Sequence, residues 1–231
     1  MSFKILADTF SVARDSKHSI QIKTIKKPSS EDQVWLAFEI IGDTKFARST
    51  IQSMIETFEE VYFENAEMSA YERFEKTLKE INLIYKNLKE KRGEKSLGNI
   101  NALIAVFSEN ELHLTQSQDA EAYLVRKGKL SIVSEGLAAK SEDLFVNIAS
   151  GELLPEDKIV FSTSRLLRLV SQTQLAQICS DGITEVLDAI RDLVLSESEL
   201  SIGVACVNVK LSYQKSFSGE GAGMEIGRAH V

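Results

Sequence analysis

The feature that most constrains this chain is a change of hydrophobic period near Gly98. Ahead of it, apolar residues recur at the three- and four-residue steps of a helix. Beyond it they alternate, as a half-buried strand requires. The stripe Ile51, Met54, Ile55, Phe58 and Val61 defines one helix, running from just after Gly42-Asp43-Thr44 to about Phe63. A second helix opens at Ser69, whose hydroxyl caps the first turn while Glu72, three residues on, completes a capping box. Its stripe, Phe74, Leu78, Ile81, Tyr85 and Leu88, covers too few heptads for a coiled-coil seam and predicts packing on a sheet. Residues 92–95, Arg-Gly-Glu-Lys, end it. Downstream, residues 100–107, 111–117, 120–126 and 129–133 predict successive strands, joined by tight turns at 108–110 and 127–128 in an antiparallel meander.

The remaining segments complete the pattern. Residues 34–41, Val-Trp-Leu-Ala-Phe-Glu-Ile-Ile, form a short, dense, β-favouring run that predicts a central strand buried on both faces. Alternation in the segment up to about Lys26, clearest over 19–25, fits an edge or half-buried strand, and residues 28–32 read as a turn. Residues 151–155 read as a loop, 158–163 as a strand, about 173–179 and 183–195 as helices, and 201–211 as the last strand. Pairs of helices segregated from a run of strands indicate an α+β layered sandwich, and no internal repeat is visible.

Composition sets the outer bounds. A chain of 231 residues is long enough for one substantial core, and nothing forces a second domain. No apolar run approaches the roughly 20 residues of a membrane helix, and the first 26 residues lack a signal-peptide core. The net charge of −7 argues against a polyanion partner, and the lysine-rich stretches at 23–27 and 86–95 read as solvated faces or turns, so no nucleic acid is expected. Cys179 and Cys206 lack zinc-like spacing and sit among apolar neighbours, which fits small core residues in a reducing, cytoplasmic setting. The end of the chain differs from the rest. Residues 216–224 are Gly-rich and aperiodic, and 225–231, Glu-Ile-Gly-Arg-Ala-His-Val, read as the in-frame translation of a common sequencing adapter. The expected organisation is therefore one domain over 1–212, a linker-like tail over 213–224 and a non-native 225–231, with further domains expected after Met224 in the natural protein.

Several segments, in order, resemble the type 2C (PPM) metal-dependent protein phosphatase family. Residues 98–107, Gly-Asn-Ile-Asn-Ala-Leu-Ile-Ala-Val-Phe, are similar to that family's Gly-Thr-Thr strand. Residues 112–123 with 126–130, Arg-Lys-Gly-Lys-Leu, resemble its Asn-Val-Gly-Asp-Ser-Arg-Ala-Tyr-Leu hairpin. Here 118–123, Gln-Asp-Ala-Glu-Ala-Tyr, keep the Asp, Ala and Tyr and change the Gly and Arg. Residues 150–161 match the loop and strand leading to the second metal motif, and 200–207 lie where the family ends in Asp-Asn-Ile-Thr-Val. The likeness covers about 34–209 and implies a β-sandwich of two antiparallel sheets flanked by helices on both sides. Leu36, Phe38, Ile104, Val106, Leu114, Tyr123, Ile159, Phe161, Val204 and Cys206 are then expected between the sheets, with the 69–91 helix outside one of them.

The resemblance also implies a reaction run by two divalent metals held by carboxylates at strand ends. The matched positions depart from that. The first motif, Asp-Gly-x-x-Gly, meets Glu39-Ile-Ile-Gly-Asp43, where Glu39 or a displaced Asp43 would stand for the Asp, and where Glu39 alternatively reads as a strand-end acid paired with a nearby lysine. The second, Thr-Asp-Gly, meets Thr163-Ser164-Arg165, and the third, Asp-Asn, meets Leu200-Ser201. Ser180-Asp181-Gly182 looks like the family's Ser-Asp-Gly, but it follows a polar helical stretch, and Asp181 there reads as a helix N-cap. The three histidines are scattered, and no Gly-rich phosphate loop or G-x-S-x-G elbow is present. These departures imply a catalytically inactive type 2C-like domain, a pseudophosphatase without a cofactor, acting as a binding or regulatory module in a longer protein. A protein partner or a phosphopeptide held by Arg165 and Arg168 would occupy its cleft. Two alternatives stay open: an active Mn²⁺/Mg²⁺-dependent serine/threonine phosphatase with displaced ligands such as Asp181, and a structural scaffold.

Overall fold

The computed structural model describes residues 2–42, 44–93, 97–138 and 141–212. Asp43, the linker-like tail at 213–224 and the terminal 225–231 lie outside them. The chain opens with three strands, β1 (Ser2–Val12), β2 (His18–Lys26) and β3 (Gln33–Ile41), followed by helices α1 (Thr44–Glu64) and α2 (Ala70–Arg92). Strands β4 (Asn99–Ser108), β5 (Glu111–Ser117), β6 (Glu121–Arg126), β7 (Lys129–Ile132), β8 (Ala149–Glu152) and β9 (Lys158–Ser162) come next. A 3₁₀ turn (Leu166–Arg168), α3 (Gln172–Ile178), α4 (Ile183–Ser196) and β10 (Ile202–Ser212) complete the fold.

Two five-stranded sheets result, in orders β1-β10-β9-β6-β7 and β2-β3-β4-β5-β8, with every pairing antiparallel. The α+β sandwich expected from the sequence is thus the observed fold. The capping box forms: Ser69 Oγ accepts from Glu72 N, the Glu72 side chain accepts from Ser69 N, and α2 stops at the C-cap Gly93. None of the helices among the described residues is long and apolar enough to cross a membrane.

Three expectations need correction. The strands from β4 to β7 are not one meander, because β5 and β6 belong to different sheets. The turn at Gln118, which has a positive φ of 53°, carries the chain from one sheet to the other. The stretch at 151–155 is not wholly loop, since β8 pairs its Glu152 and Gly151 with Glu111 and Leu112 of β5. Finally, of the ten residues expected between the sheets, Leu114, Ile159 and Phe161 lie there, packed with Trp35, Phe107 and Val207. Leu36, Phe38, Ile104 and Val106 instead face α1 and α2, against Phe58 and Phe74. Tyr123, Val204 and Cys206 face α3 and α4, against Leu175 and Ile190. All ten are buried; a strand covered on both faces shows no alternation, so its sequence does not say which face meets which layer.

Candidate functional site

Successive strand side chains point to opposite faces. In β3, Leu36, Phe38 and Ile40 serve the helical layer, which sends Trp35 and Glu39 toward the other sheet. Glu39 is fully buried near the end of its strand, opposite Asn101 of β4 and Ile20 of β2. Both of its carboxylate oxygens are engaged. His18 Nδ1 lies 2.8 Å from Oε1, Asn101 Nδ2 donates to Oε2 at 3.2 Å, and Ser164 Oγ donates to Oε2 at 3.3 Å. Ser164 comes from the opposite sheet. The turn after β9 is fixed by Thr163, whose N–H donates to Gly203 O at 3.0 Å and whose Oγ1 accepts from Gly203 N at 2.9 Å. Gly98 brings β4 in beside this cluster: its φ is +70°, and a Cβ there would lie 2.4 Å from the Ile41 carbonyl oxygen, so no other residue fits.

A second group adjoins the first. Asp119 sits in the turn between β5 and β6, its N–H toward Asn101 Oδ1 at 3.5 Å. It takes Arg165 Nη2 on one oxygen and Arg168 Nη2 on the other, both at 3.1 Å. Both guanidinium side chains are about half exposed or more, at 48% and 61%, so these are surface ion pairs worth about 0–1 kcal/mol each. Glu121 lies 3.7 Å from Arg165 Nε and accepts from the buried Tyr123 hydroxyl, which in turn accepts from Leu166 N at 2.9 Å; burial pushes that phenol well above its usual range. Beside Arg165 a polar cavity of about 360 Å³ opens, walled by Ser117 and Asp119, by Tyr85 and Lys89 of α2, and by Asp143 and Leu144. Reciprocal hydrogen bonds between the Asn82 amide and the backbone of Phe145, at 2.7 and 3.0 Å, hold that last wall against α2.

The residues singled out in the sequence distribute unevenly. Glu39 and Ser164 meet directly, and Arg165 and Arg168 stand beside them on Asp119. The partner of Glu39 is His18, not a lysine. Leu200 packs with the apolar cluster under α3 and α4, and Ser201 Oγ accepts from Arg14 N at 3.0 Å. Asp181 is exposed, and its backbone oxygen accepts from Lys158 Nζ at the start of β9. Lys158 opens β9 and Ser164 follows its far end, so the strand, about 13 Å long at roughly 3.3 Å per residue, lies between them. The N-cap of α4 is Gly182 rather than Asp181, with no side-chain cap. Asp119 is the Asp that the hairpin resemblance keeps, whereas His18 and Asn101 do not stand out in the sequence; the signal that could have found Asn101 is the register of β3 on β4, which places it across from Glu39.

Two hard divalent cations need several free oxygen donors, most of them charged. Glu39 is a single carboxylate with both oxygens bonded, Asn101 turns its N–H group toward it, and Asp119 is held by two arginines. Among the described residues, no group of three or more His, Cys, Asp or Glu side chains is placed to hold a metal ion. The two buried thiols offer no alternative nucleophile: burial pushes Cys179 up to about 11 and Cys206 up to about 12, so neither is a thiolate at neutral pH.

The two helix-flanked antiparallel sheets are the fold of the type 2C (PP2C) protein serine/threonine phosphatases. PppA, a regulatory component of the type VI secretion system in Pseudomonas aeruginosa, superposes with a TM-score of 0.69 at 14% identity, over 89% of this chain and 97% of that one. The Mycobacterium tuberculosis serine/threonine phosphatase PstP gives 0.65 at 12% identity, over 91% and 100%. The phosphatase domain of the cell-fate determinant SpoIIE from Bacillus subtilis gives 0.59 at 10%, over 94% and 97%. No family model matches the chain, and no curated protein matches it in sequence.

Proposed function

We propose that this chain is a catalytically inactive domain of the type 2C fold that works as a binding or regulatory module, its partner a protein or phosphopeptide. The observation that carries this reading is the state of Glu39. At the position matched to the first metal-binding acid, the carboxylate is fully buried and commits both oxygens to His18, Asn101 and Ser164. A hydroxyl at 164 and a leucine at 200 stand where the family carries aspartates, and Arg165 brings a cation to the same turn. One carboxylate with both oxygens already bonded leaves too few charged donors to hold the two metals that generate a hydroxide at neutral pH.

The test is a Mn²⁺ titration by calorimetry together with p-nitrophenyl phosphate turnover. The wild type is expected to show no saturable binding at micromolar Mn²⁺ and no turnover above a blank. Ser164→Asp combined with Arg165→Gly places a second carboxylate beside Glu39 and is expected to introduce Mn²⁺ binding. Wild-type turnover abolished by Glu39→Gln, or by Asp181→Ala, would overturn the reading.

A further inference from the structure

A larger cavity, about 690 Å³, lies between the start of β2 and the first half of α1. That volume is in the range of small-molecule sites. Its lining carries no acidic side chain, although the chain as a whole has a net charge of −7. Arg48, on α1, is exposed and has no hydrogen-bond or ion-pair partner among the described residues. Ser11, Ser19, Gln21, Ile20, Ser49 and Ile51 line the same space; the Ser49 hydroxyl donates to Phe46 O at 2.9 Å, which leaves Ser11 of β1 and Ser19 of β2 as its strand hydroxyls. His18 also lines it, its ring held by the bond from Nδ1 to Glu39. Acids bonded to lining residues are engaged: Glu39 lies 2.8 Å from His18 Nδ1, Asp15 lies 3.9 Å from His18 Nε2, and Glu56 accepts from Gln52 Nε2 at 2.7 Å.

An unpaired guanidinium gains most from an oxyanion it can grip with two parallel N–H bonds, and rotatable hydroxyls complete the shell of such a group. We propose that this cavity binds a small oxyanion-bearing ligand, a phosphate ester or a carboxylate, anchored on Arg48 and oriented by the hydroxyls of β1 and β2. The site needs no metal and stands whether or not the domain is catalytic.

Nuclear magnetic resonance titration of the 231-residue chain with inorganic phosphate, at ionic strength held constant with chloride, tests this; a parallel acetate titration separates phosphoryl from carboxylate preference. Saturable shifts are expected at Ser11, Ser19, Arg48 and Ser49, including the Arg48 Nε–H. Arg48→Gln is expected to weaken binding about tenfold or more, the loss of a bidentate charged contact, while Lys79→Gln, which removes an exposed cation of α2 outside the lining, leaves it unchanged. Should Arg48→Gln lose its dispersed spectrum, Ser19→Ala decides instead, with a several-fold weakening expected. Shifts no larger than those from chloride, unaltered binding in the substituted protein, or shifts centred on Asp119 and Arg165 would each overturn the proposal.

Discussion

His113, on β5, is 3% exposed, with Nδ1 2.8 Å from Ser150 Oγ and its ring against the edge of Tyr71 at 5.7 Å. Burial, the largest influence, pushes its pKa below the usual 6.5, against weaker opposing pulls from Glu111 and Asp32. The unfolded chain therefore takes up the proton more readily than the folded one. Stability from this group is fully present above pH 6.5 and is lost as the pH falls below that toward the folded value. Melting temperature is expected to drop on acidification through this window, ahead of carboxylate titration, and His113→Gln to flatten the profile; thermal melts in a pH series check it. Glu39 shows the limit of sequence reasoning at the same scale. Motif order points to residues 39 and 164, and the two touch. Their other partners, His18 and Asn101, are fixed by strand register across separations of 21 and 62 residues, which local pattern does not encode.

Where a whole element reports itself locally, the sequence is legible. The second helix carries its own N-cap, its own apolar stripe and its own C-terminal Gly93, and it forms where its pattern predicts. Strands β5 and β9 are likewise visible in period and turn chemistry. The assignment of β5 and β6 to separate sheets is not, because a turn such as that at Gln118 looks the same in sequence whether it closes a hairpin or crosses a sandwich. The distinction has energetic consequences. Leu36, fully buried on the helical face of β3, packs in the cluster that includes Phe58 and Phe74, so Leu36→Ala opens a cavity between sheet and helices rather than between sheets. A loss of roughly 2–5 kcal/mol is expected from such a truncation, measured by urea unfolding. The inter-sheet contacts of Trp35 with its cluster should survive in that variant's tryptophan fluorescence before denaturation.

Over the whole molecule, the pairing that spans the greatest length of chain is that of β1 with β10, in register from Ser2 opposite Ser212 to Val12 opposite Ile202. Every strand of both sheets is antiparallel, and one sheet is assembled from strands drawn from both ends of the sequence. Folds dominated by such distant contacts pay loop-closure entropy before those contacts form, and their refolding falls at the slow end, roughly milliseconds to seconds. Stopped-flow refolding from urea is expected to show its main phase on that scale. Removing residues 2–12 should slow or abolish it by exposing the edge of β10.

The same pairing has a meaning for the chain while it is being made. Residues 2–12 leave the ribosome before residues 202–212, their only sheet partner among the described strands, some 200 residues downstream. At translation rates of about 5–20 residues per second, the opening strand waits about 10–40 s with its backbone edge unsatisfied. Its sequence, Ser-Phe-Lys-Ile-Leu-Ala-Asp-Thr-Phe-Ser-Val, interrupts the apolar positions with Lys4 and Asp8. Those two charges act as gatekeepers for a nascent segment that must stay unpaired until its mate is synthesised.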